Sequence, residues 1–161
     1  MTWILKGERI RMEIKRLFDE DVDTFWDELR KLMDLCYERT FDGPVPETFS
    51  EGKLNELKSY LQKERAYLFG AIDGMQMFGF LWCHGLSTGQ GRVFHVAYGG
   101  VDPAAEGRGL FTKMMAKGEE IAIEKGYHIS ELRVAKKNPQ VIAIHTKHGY
   151  QTEEVIMRKY L

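Results

Sequence analysis

Val101-Asp102-Pro103-Ala104-Ala105-Glu106-Gly107-Arg108-Gly109-Leu110-Phe111 is the stretch on which the fold turns. An apolar run ends at Val101. A proline-containing turn follows, then a glycine-spaced loop, then the start of an apolar stripe at helical spacing. Glycines let a backbone approach a ligand and allow successive N–H groups to converge on one anion. A helix beginning directly after them adds unpaired donors and the positive end of its dipole. This order suits a phosphate-holding loop.

Downstream, Leu110, Phe111, Met114, Met115, Ile121 and Ala122 trace one helix face from about Arg108 to a stop at Gly126. Ile129 to Ala135 reads as a strand, and Asn138 to His148 as a short helix closed by Gly149. Tyr150 to Leu161 reads as a last extended segment that includes a strand. Upstream, Arg92 to Val101 is the third of three consecutive strands. Met75 to Leu86 precedes it across the turn at Ser87 to Gly91, and Ala66 to Ile72 comes before that across the hairpin signal Asp73-Gly74. Two helices lie further back. One starts at Asp19-Glu20-Asp21, carries Val22, Phe25, Trp26, Leu29, Leu32 and Met33, and ends near Thr40. The second is capped by Ser50 and carries Leu54, Leu57, Tyr60 and Leu61. Ile10, Met12 and Ile14 alternate with charged residues as a first strand. The predicted order is β-α-α-β-β-β-α-β-α-β: an α/β fold with a mixed sheet flanked by helices, the helix after the phosphate loop crossing over between parallel strands.

The 161 residues suit a single domain spanning 1–161. A net charge of −1 gives no global attraction to nucleic acid or to an anionic membrane. No apolar run has the length of a secretory signal or a membrane span, so the expected location is cytoplasmic. Cys36 and Cys83 are too few for a disulfide framework or a zinc site and are expected as buried free thiols.

The chain resembles the GNAT superfamily of acyl-CoA-dependent N-acyltransferases. The family's phosphate loop reads Q/R-x-x-G-x-G/A after a V-x-P turn. Here Val101-Asp102-Pro103 is the turn and Glu106-Gly107-Arg108-Gly109-Leu110-Phe111 the loop. A second family motif runs from an Asn through a short apolar helix to Gly-Phe or Gly-Tyr, matched by Asn138 to Gly149-Tyr150. Two positions depart from the pattern. Glu106 stands where the family prefers Gln or Arg, and Phe111 where it prefers Gly or Ala. A carboxylate beside a pyrophosphate must turn outward, and Arg108 can offset it. Backbone amides carry most of the phosphate contacts.

The resemblance implies direct transfer of an acetyl group from acetyl-CoA to an amine of a small molecule or of an amino-acid or peptide acceptor, without a metal. Tyr98, Gly99, Gly100 and Val101 match the strand that gives backbone groups to the pantetheine arm, and the two glycines leave room for it. Asn138 matches a residue bonding the pantetheine amides or capping its helix. His95 matches the position where some members carry a Glu base, and its ordinary pKa suits proton removal near neutrality; deprotonation through a water relay is the alternative. Many members place an acidic Tyr seven residues after the motif's Asn, and that count from Asn138 reaches His145. Tyr150 and Tyr98 are rival donors. His145 and His148 could share a helix face, but no nearby Cys or carboxylate completes a metal site. Across the family, acceptor choice lies in the first two helices and their loop. That region holds Trp26, Tyr37, Phe41, Phe49 and Tyr60, with Glu38, Asp42, Glu47 and Glu51, a composition suited to a cationic amine. The family is often dimeric, so a homodimer is an expectation with no interface fixed; Trp3-Ile4-Leu5 could face the core or a partner. A catalytically silent acyl-CoA-binding sensor or subunit is the competing reading. A dinucleotide-binding domain fits less well, because Thr112 interrupts G-x-G-x-x-G and antiparallel hairpins precede the loop.

Overall fold

The computed structural model describes residues 2–5 and 8–161, with side chains from Arg11 onward. A two-stranded ribbon, β1 (Thr2–Leu5) and β2 (Glu8–Arg11), stands apart from a five-stranded sheet. The sheet is built from β3 (Glu13–Leu17), β4 (Ala66–Asp73), β5 (Gln76–Thr88), β6 (Gly91–Val101) and β7 (Ile129–Leu132), in that spatial order. Neighbours run antiparallel except β6 and β7, which are parallel and joined through helix α4 (Leu110–Glu124). The predicted first strand is thus divided at Met12, whose side chain turns into the core while β2 pairs with β1. The side chains of Trp3, Ile4, Leu5 and Ile10 lie outside the described residues.

Two apolar clusters cover the two faces. On one, Phe69, Leu81, Phe94 and Val96 of the sheet meet Leu110, Met114, Met115 and Ala122 of α4, the face that the sequence spacing picks out. On the other, Leu68, Phe80 and Trp82 meet α1 (Asp19–Thr24), α2 (Trp26–Thr40) and α3 (Phe49–Gln62). The predicted first helix is therefore two. Phe25 leaves helical geometry with φ −107° and ψ 27°, yet its N–H still donates to Asp21 and its carbonyl still accepts from Leu29. The backbone bonds run on through a bend that buries the Phe25 ring. At the start of α1 the Asp21 carboxylate accepts from the Phe18 N–H at 2.7 Å, and three acidic residues sit in the first turn, favourable at the positive end of the dipole.

Ser50 does not cap α3. It lies one residue inside the helix, buried, and its hydroxyl donates to the Asp34 carboxylate of α2. The cap position is Thr48, so the hydroxyl ties helix to helix. Gly126 and Gly149 close α4 and α5 (Pro139–Lys147) at φ +78° and +91°, a conformation costly for any residue with a Cβ. The expected final strand does not form. Residues 151–161 have no regular structure and are exposed throughout, because no strand of the sheet is aligned beside them.

Met114 is fully buried where α4 crosses the sheet. Met114→Ala is expected to lower unfolding free energy by about 2–5 kcal/mol in urea titration. A change under about 1 kcal/mol would mean that α4 is not seated on the sheet as described.

Candidate active site

The loop from Val101 to Leu110 is held at both ends. The Asp102 N–H donates to Phe78 at 2.7 Å, and the Asp102 carboxylate accepts from Ala104 at 2.8 Å. Pro103–Ala105 then make one 3-10 turn. Gly107 and Gly109 follow at φ +75° and +72°, and α4 begins at once. A Cβ at either glycine would meet nothing within 4 Å, so the left-handed backbone is what requires glycine there. Lys113 is the first residue whose N–H returns to the loop, bonding Gly109 at 3.0 Å. The preceding N–H groups of α4 are the donors that a helix start leaves without intrahelical partners. Glu106 is turned to the Arg39 guanidinium of α2. The loop's carboxylate therefore has a cationic partner on another element, where Arg108 was the expected one.

Beside the loop the sheet opens. The parallel ladder runs from Val93–Ile129 to Val96–Leu132 and stops. The antiparallel ladder on the other side of β6 slips at this level: Val96 faces Cys83 and Tyr98 faces Trp82, leaving Ala97 as a bulge. Bulges bend a strand and increase its twist. β6 continues on β5 to the Val101–Gly79 pair, while its other edge, over Ala97 to Val101, has lost its neighbour. The predicted strand to Ala135 is cut at Leu132 for this reason. The space over Gly99 belongs to the protein: an added Cβ would lie 2.7 Å from Phe111 and 2.9 Å from Leu81. Over Gly100 the nearest atom is Cys36 Sγ, at 3.6 Å. That thiol donates to the Gly99 carbonyl at 3.2 Å, and burial pushes its pKa up to about 11. Cys36 is only partly exposed, whereas Cys83 is wholly buried.

The acetyltransferase (GNAT) family matches residues 26–150, most of the chain and all of this loop and opening. The chain belongs to that family. It is an acyltransferase. No curated protein matches it in sequence. Among solved structures, the fold of this GNAT chain is shared by a predicted acetyltransferase from Clostridium acetobutylicum solved with acetyl-CoA, 15% identical over 93% of this chain and 96% of the other, with a TM-score of 0.76. A GCN5-related N-acetyltransferase from Ralstonia eutropha is 14% identical over 93% and 99%, also at 0.76. An aminoglycoside acetyltransferase from an uncultured soil metagenomic sample, solved with sisomicin, is 18% identical over 93% and 95%, at 0.70.

The two histidines of interest in this GNAT chain lie on opposite faces of the sheet. Phe94 and Val96 point to α4, so His95 between them points to α3, and its ring lies 5.1 Å from that of His84. His95 Nδ1 is 2.9 Å from a Glu131 carboxylate oxygen across the β6–β7 pair. Burial lowers the proton affinity of His84; the Gly85 carbonyl opposes this, and His95 adds to the lowering. Around this pair stand Tyr60, Trp82 and Tyr98, with the Lys53 ammonium 5.8 Å from the Tyr98 ring and bound to Glu56 at 2.8 Å. The indole N–H of Trp82 is buried without a hydrogen-bond partner among the described residues.

His145 lies on the α4 side, buried, with Phe111 at 5.9 Å and Tyr150 at 5.4 Å between ring centres. It lines a cavity of about 90 Å³ with Phe111, Thr112, Met115 and Glu119. Burial lowers its pKa, and His148 pushes the same way. The Tyr150 hydroxyl is shared with Ser130 at 2.7 Å, and burial pushes its pKa up to about 12. Asn138 occupies the N-terminal cap position of α5, but its side chain makes no capping bond; its amide donates instead to the Arg39 carbonyl at 2.6 Å. Lys137 beside it donates to the Phe41 carbonyl at 2.6 Å and to Asp42 at 3.1 Å. Of the aromatic residues expected at an acceptor mouth, Tyr37, Phe41 and Phe49 form one cluster, with centroids 4.9 and 4.8 Å apart, and only Tyr60 stands by His84.

Glu131, His84 and Arg39 were not singled out by sequence reasoning. His84 faces His95, and Glu131 faces it from the other side, only through strand register. Gly99→Val should strain the Phe111 and Leu81 contacts and lower stability by about 1–3 kcal/mol in urea unfolding. An unchanged midpoint would remove that packing account of Gly99.

Proposed function

We propose that this enzyme transfers the acetyl group of acetyl-CoA directly to an amine, working as a single domain over residues 1–161 in the cytoplasm. The observation that carries the reading is the continuity of two features: an unpaired β6 edge at Ala97 to Val101 and, directly after it, left-handed Gly107 and Gly109 at the start of α4. The loop Glu106 to Phe111 binds the pyrophosphate through backbone N–H groups and the helix dipole. The edge Tyr98 to Val101 bonds the pantetheine amides. Asn138 holds the far wall of the opening through its bond to Arg39.

On the α3 side the acceptor nitrogen attacks the thioester carbonyl. A nitrogen–carbon bond forms, the carbonyl electrons move to oxygen, and the ammonium proton that blocks attack goes to His95. With Nδ1 donating to Glu131, the His95 lone pair is on Nε2. Glu131 then acts by holding that tautomer and stabilising the imidazolium that forms. Collapse breaks the carbon–sulfur bond and gives CoA thiolate, and the new amide nitrogen releases its remaining extra proton to solvent. His145, held neutral by burial, serves the sulfur as a hydrogen-bond donor rather than as an imidazolium acid. The partly exposed rings of Tyr60 and Tyr98, backed by Trp82 and flanked by Glu56 and Glu131, suit a cationic amine of a small molecule or an amino-acid or peptide acceptor. Steady acetyl transfer to any amine in a screen distinguishes this reading from a silent acyl-CoA-binding module.

Calorimetric titration tests the loop. Gly109→Asp places a side chain and a negative charge where φ is +72° and should weaken acetyl-CoA binding at least about tenfold, or roughly 1.4 kcal/mol. Equal affinity would remove the loop assignment. The pH profile tests the base. Both His95→Gln and Glu131→Gln should lose more turnover at low pH than at high pH, where free amine is already present. The Glu131 loss should be the smaller. A loss of the same size at every pH counts against proton removal by His95.

A further inference from the structure

Glu106 is the residue of the phosphate loop that needs an explanation. A carboxylate there repels the anion that the backbone N–H groups and the positive end of α4 are set to hold, and competes with it. The fold gives that carboxylate a partner. Its oxygen accepts a hydrogen bond from Nη2 of Arg39, in the last turn of α2. The two residues are 67 positions apart in the chain, so the pair exists only because α2 ends beside the loop.

α2 is fixed there by bonds that do not use the guanidinium. The Asn138 amide donates to the Arg39 carbonyl, and Lys137 donates to the Phe41 carbonyl and to Asp42. One turn back, the Cys36 thiol donates to the Gly99 carbonyl of β6. The root of Arg39 is therefore anchored, while its far end rests on one bond from one nitrogen. The Arg39 and Glu106 side chains are 42% and 45% exposed. Water competes for both partners of such a pair, and the pair is correspondingly weak.

A diphosphate is the better partner. The planar fork of a guanidinium matches phosphate oxygens two at a time, and such charge-assisted pairs are among the strongest polar contacts. The loop read as the diphosphate site begins at the very residue that Arg39 touches. Without an anion in the loop, the free N–H groups and the dipole of α4 would push a guanidinium away. The Glu106 carboxylate offsets that repulsion.

We propose that Arg39 is a cofactor-binding residue supplied to the phosphate loop from α2. Glu106 keeps its guanidinium at the loop in the free enzyme, and the diphosphate of acetyl-CoA takes it over on binding. This assignment rests on acetyl-CoA being the cofactor. In the exchange the Arg39–Glu106 bond breaks, guanidinium–phosphate bonds form, and no proton moves. Glu106 returns to water, to which it is already half open. Because Asn138 and Cys36 hold α2 by themselves, the Arg39 side chain swings without moving the helix. The loop can then carry Glu106 in place of Gln or Arg, since Arg39 brings a cation from another element.

Calorimetric titration with CoA and with dephospho-CoA tests this without any turnover. Arg39→Gln should weaken CoA binding at least about tenfold, the size expected for a lost charge-assisted bond. Unchanged affinity overturns the proposal. A loss in this variant has two physical sources, contact with the diphosphate or shielding of Glu106, and the Glu106→Gln background separates them. No carboxylate is left there to shield. Contact predicts a loss of the same order when Arg39→Gln is added to Glu106→Gln, and shielding predicts none. Equal affinities of Glu106→Gln and the double variant therefore overturn the proposal. Dephospho-CoA keeps the diphosphate and lacks the ribose phosphate, so the Arg39→Gln loss should be as large with it. A loss confined to CoA gives Arg39 to the ribose phosphate and overturns the diphosphate assignment. Both side chains are partly exposed, and the Asn138 bond is to a backbone carbonyl, so neither substitution removes a buried contact. If the unaltered protein binds neither ligand, the acetyl-CoA reading fails and takes the proposal with it. If it binds both and the Arg39 variants bind as tightly, the proposal alone fails.

Discussion

The slip of one residue between β5 and β6 at Ala97 governs the rest of the site. Below it, β6 is a shared strand, paired with β5 on one edge and with β7 on the other. Above it, β6 follows β5 alone, and β7 has ended at Leu132. A sheet that stayed closed would use every backbone group of Ala97 to Val101 in its own ladders. The bulge frees one edge of that strand while the other edge keeps it rigid, and an enzyme needs both at a place where a substrate's amide groups are to be met. The same slip sorts the side chains. Val96 and Phe94 go to the α4 core, whereas His95 and Tyr98 go to the α3 side with Trp82 and His84.

The end of α2 is drawn over this opening by polar ties rather than by apolar packing. Arg39 gives its guanidinium to Glu106 and its carbonyl to Asn138, while Lys137 holds the Phe41 carbonyl and Asp42. The ion pairs are exposed, and each adds on the order of 0–1 kcal/mol. Their effect is positional, since they join the phosphate loop, the last turn of α2 and the segment after β7, three stretches distant in sequence. Cys36, one turn back from Arg39 and Thr40, completes the contact by donating to Gly99. Its raised pKa keeps it a protonated donor at neutral pH, which suits a packing role and not a nucleophilic one.

His95 and His145 show how one residue type is given two characters by its surroundings. His95 has a carboxylate on Nδ1 and a histidine beside it on a half-open face. His145 is enclosed by Phe111 and Tyr150 and is kept neutral by burial. Burial between Phe111 and Tyr150 penalises a proton on His145.

The sequence alone determined most of the local elements, namely the three central strands and helices α3, α4 and α5, but not the division of the first strand and the first helix. Helix spacing, Asp73-Gly74, the left-handed glycines after Asp102-Pro103 and the closing Gly126 and Gly149 act over a few residues, and their physics is complete within a few residues. The family likeness was legible for the same reason, because its motifs are short loops joined to helix starts. Tertiary structure decided what depends on register and on distant partners. That β7 stops at Leu132, that Glu131 and His84 flank His95, that Arg39 takes Glu106, and that Ser50 bonds Asp34 instead of capping its helix each join residues far apart in the chain. The expected last strand belongs to this class as well. Tyr150 to Leu161 has the composition of a strand, but a strand exists only where another offers its edge in register, and composition does not contain that condition.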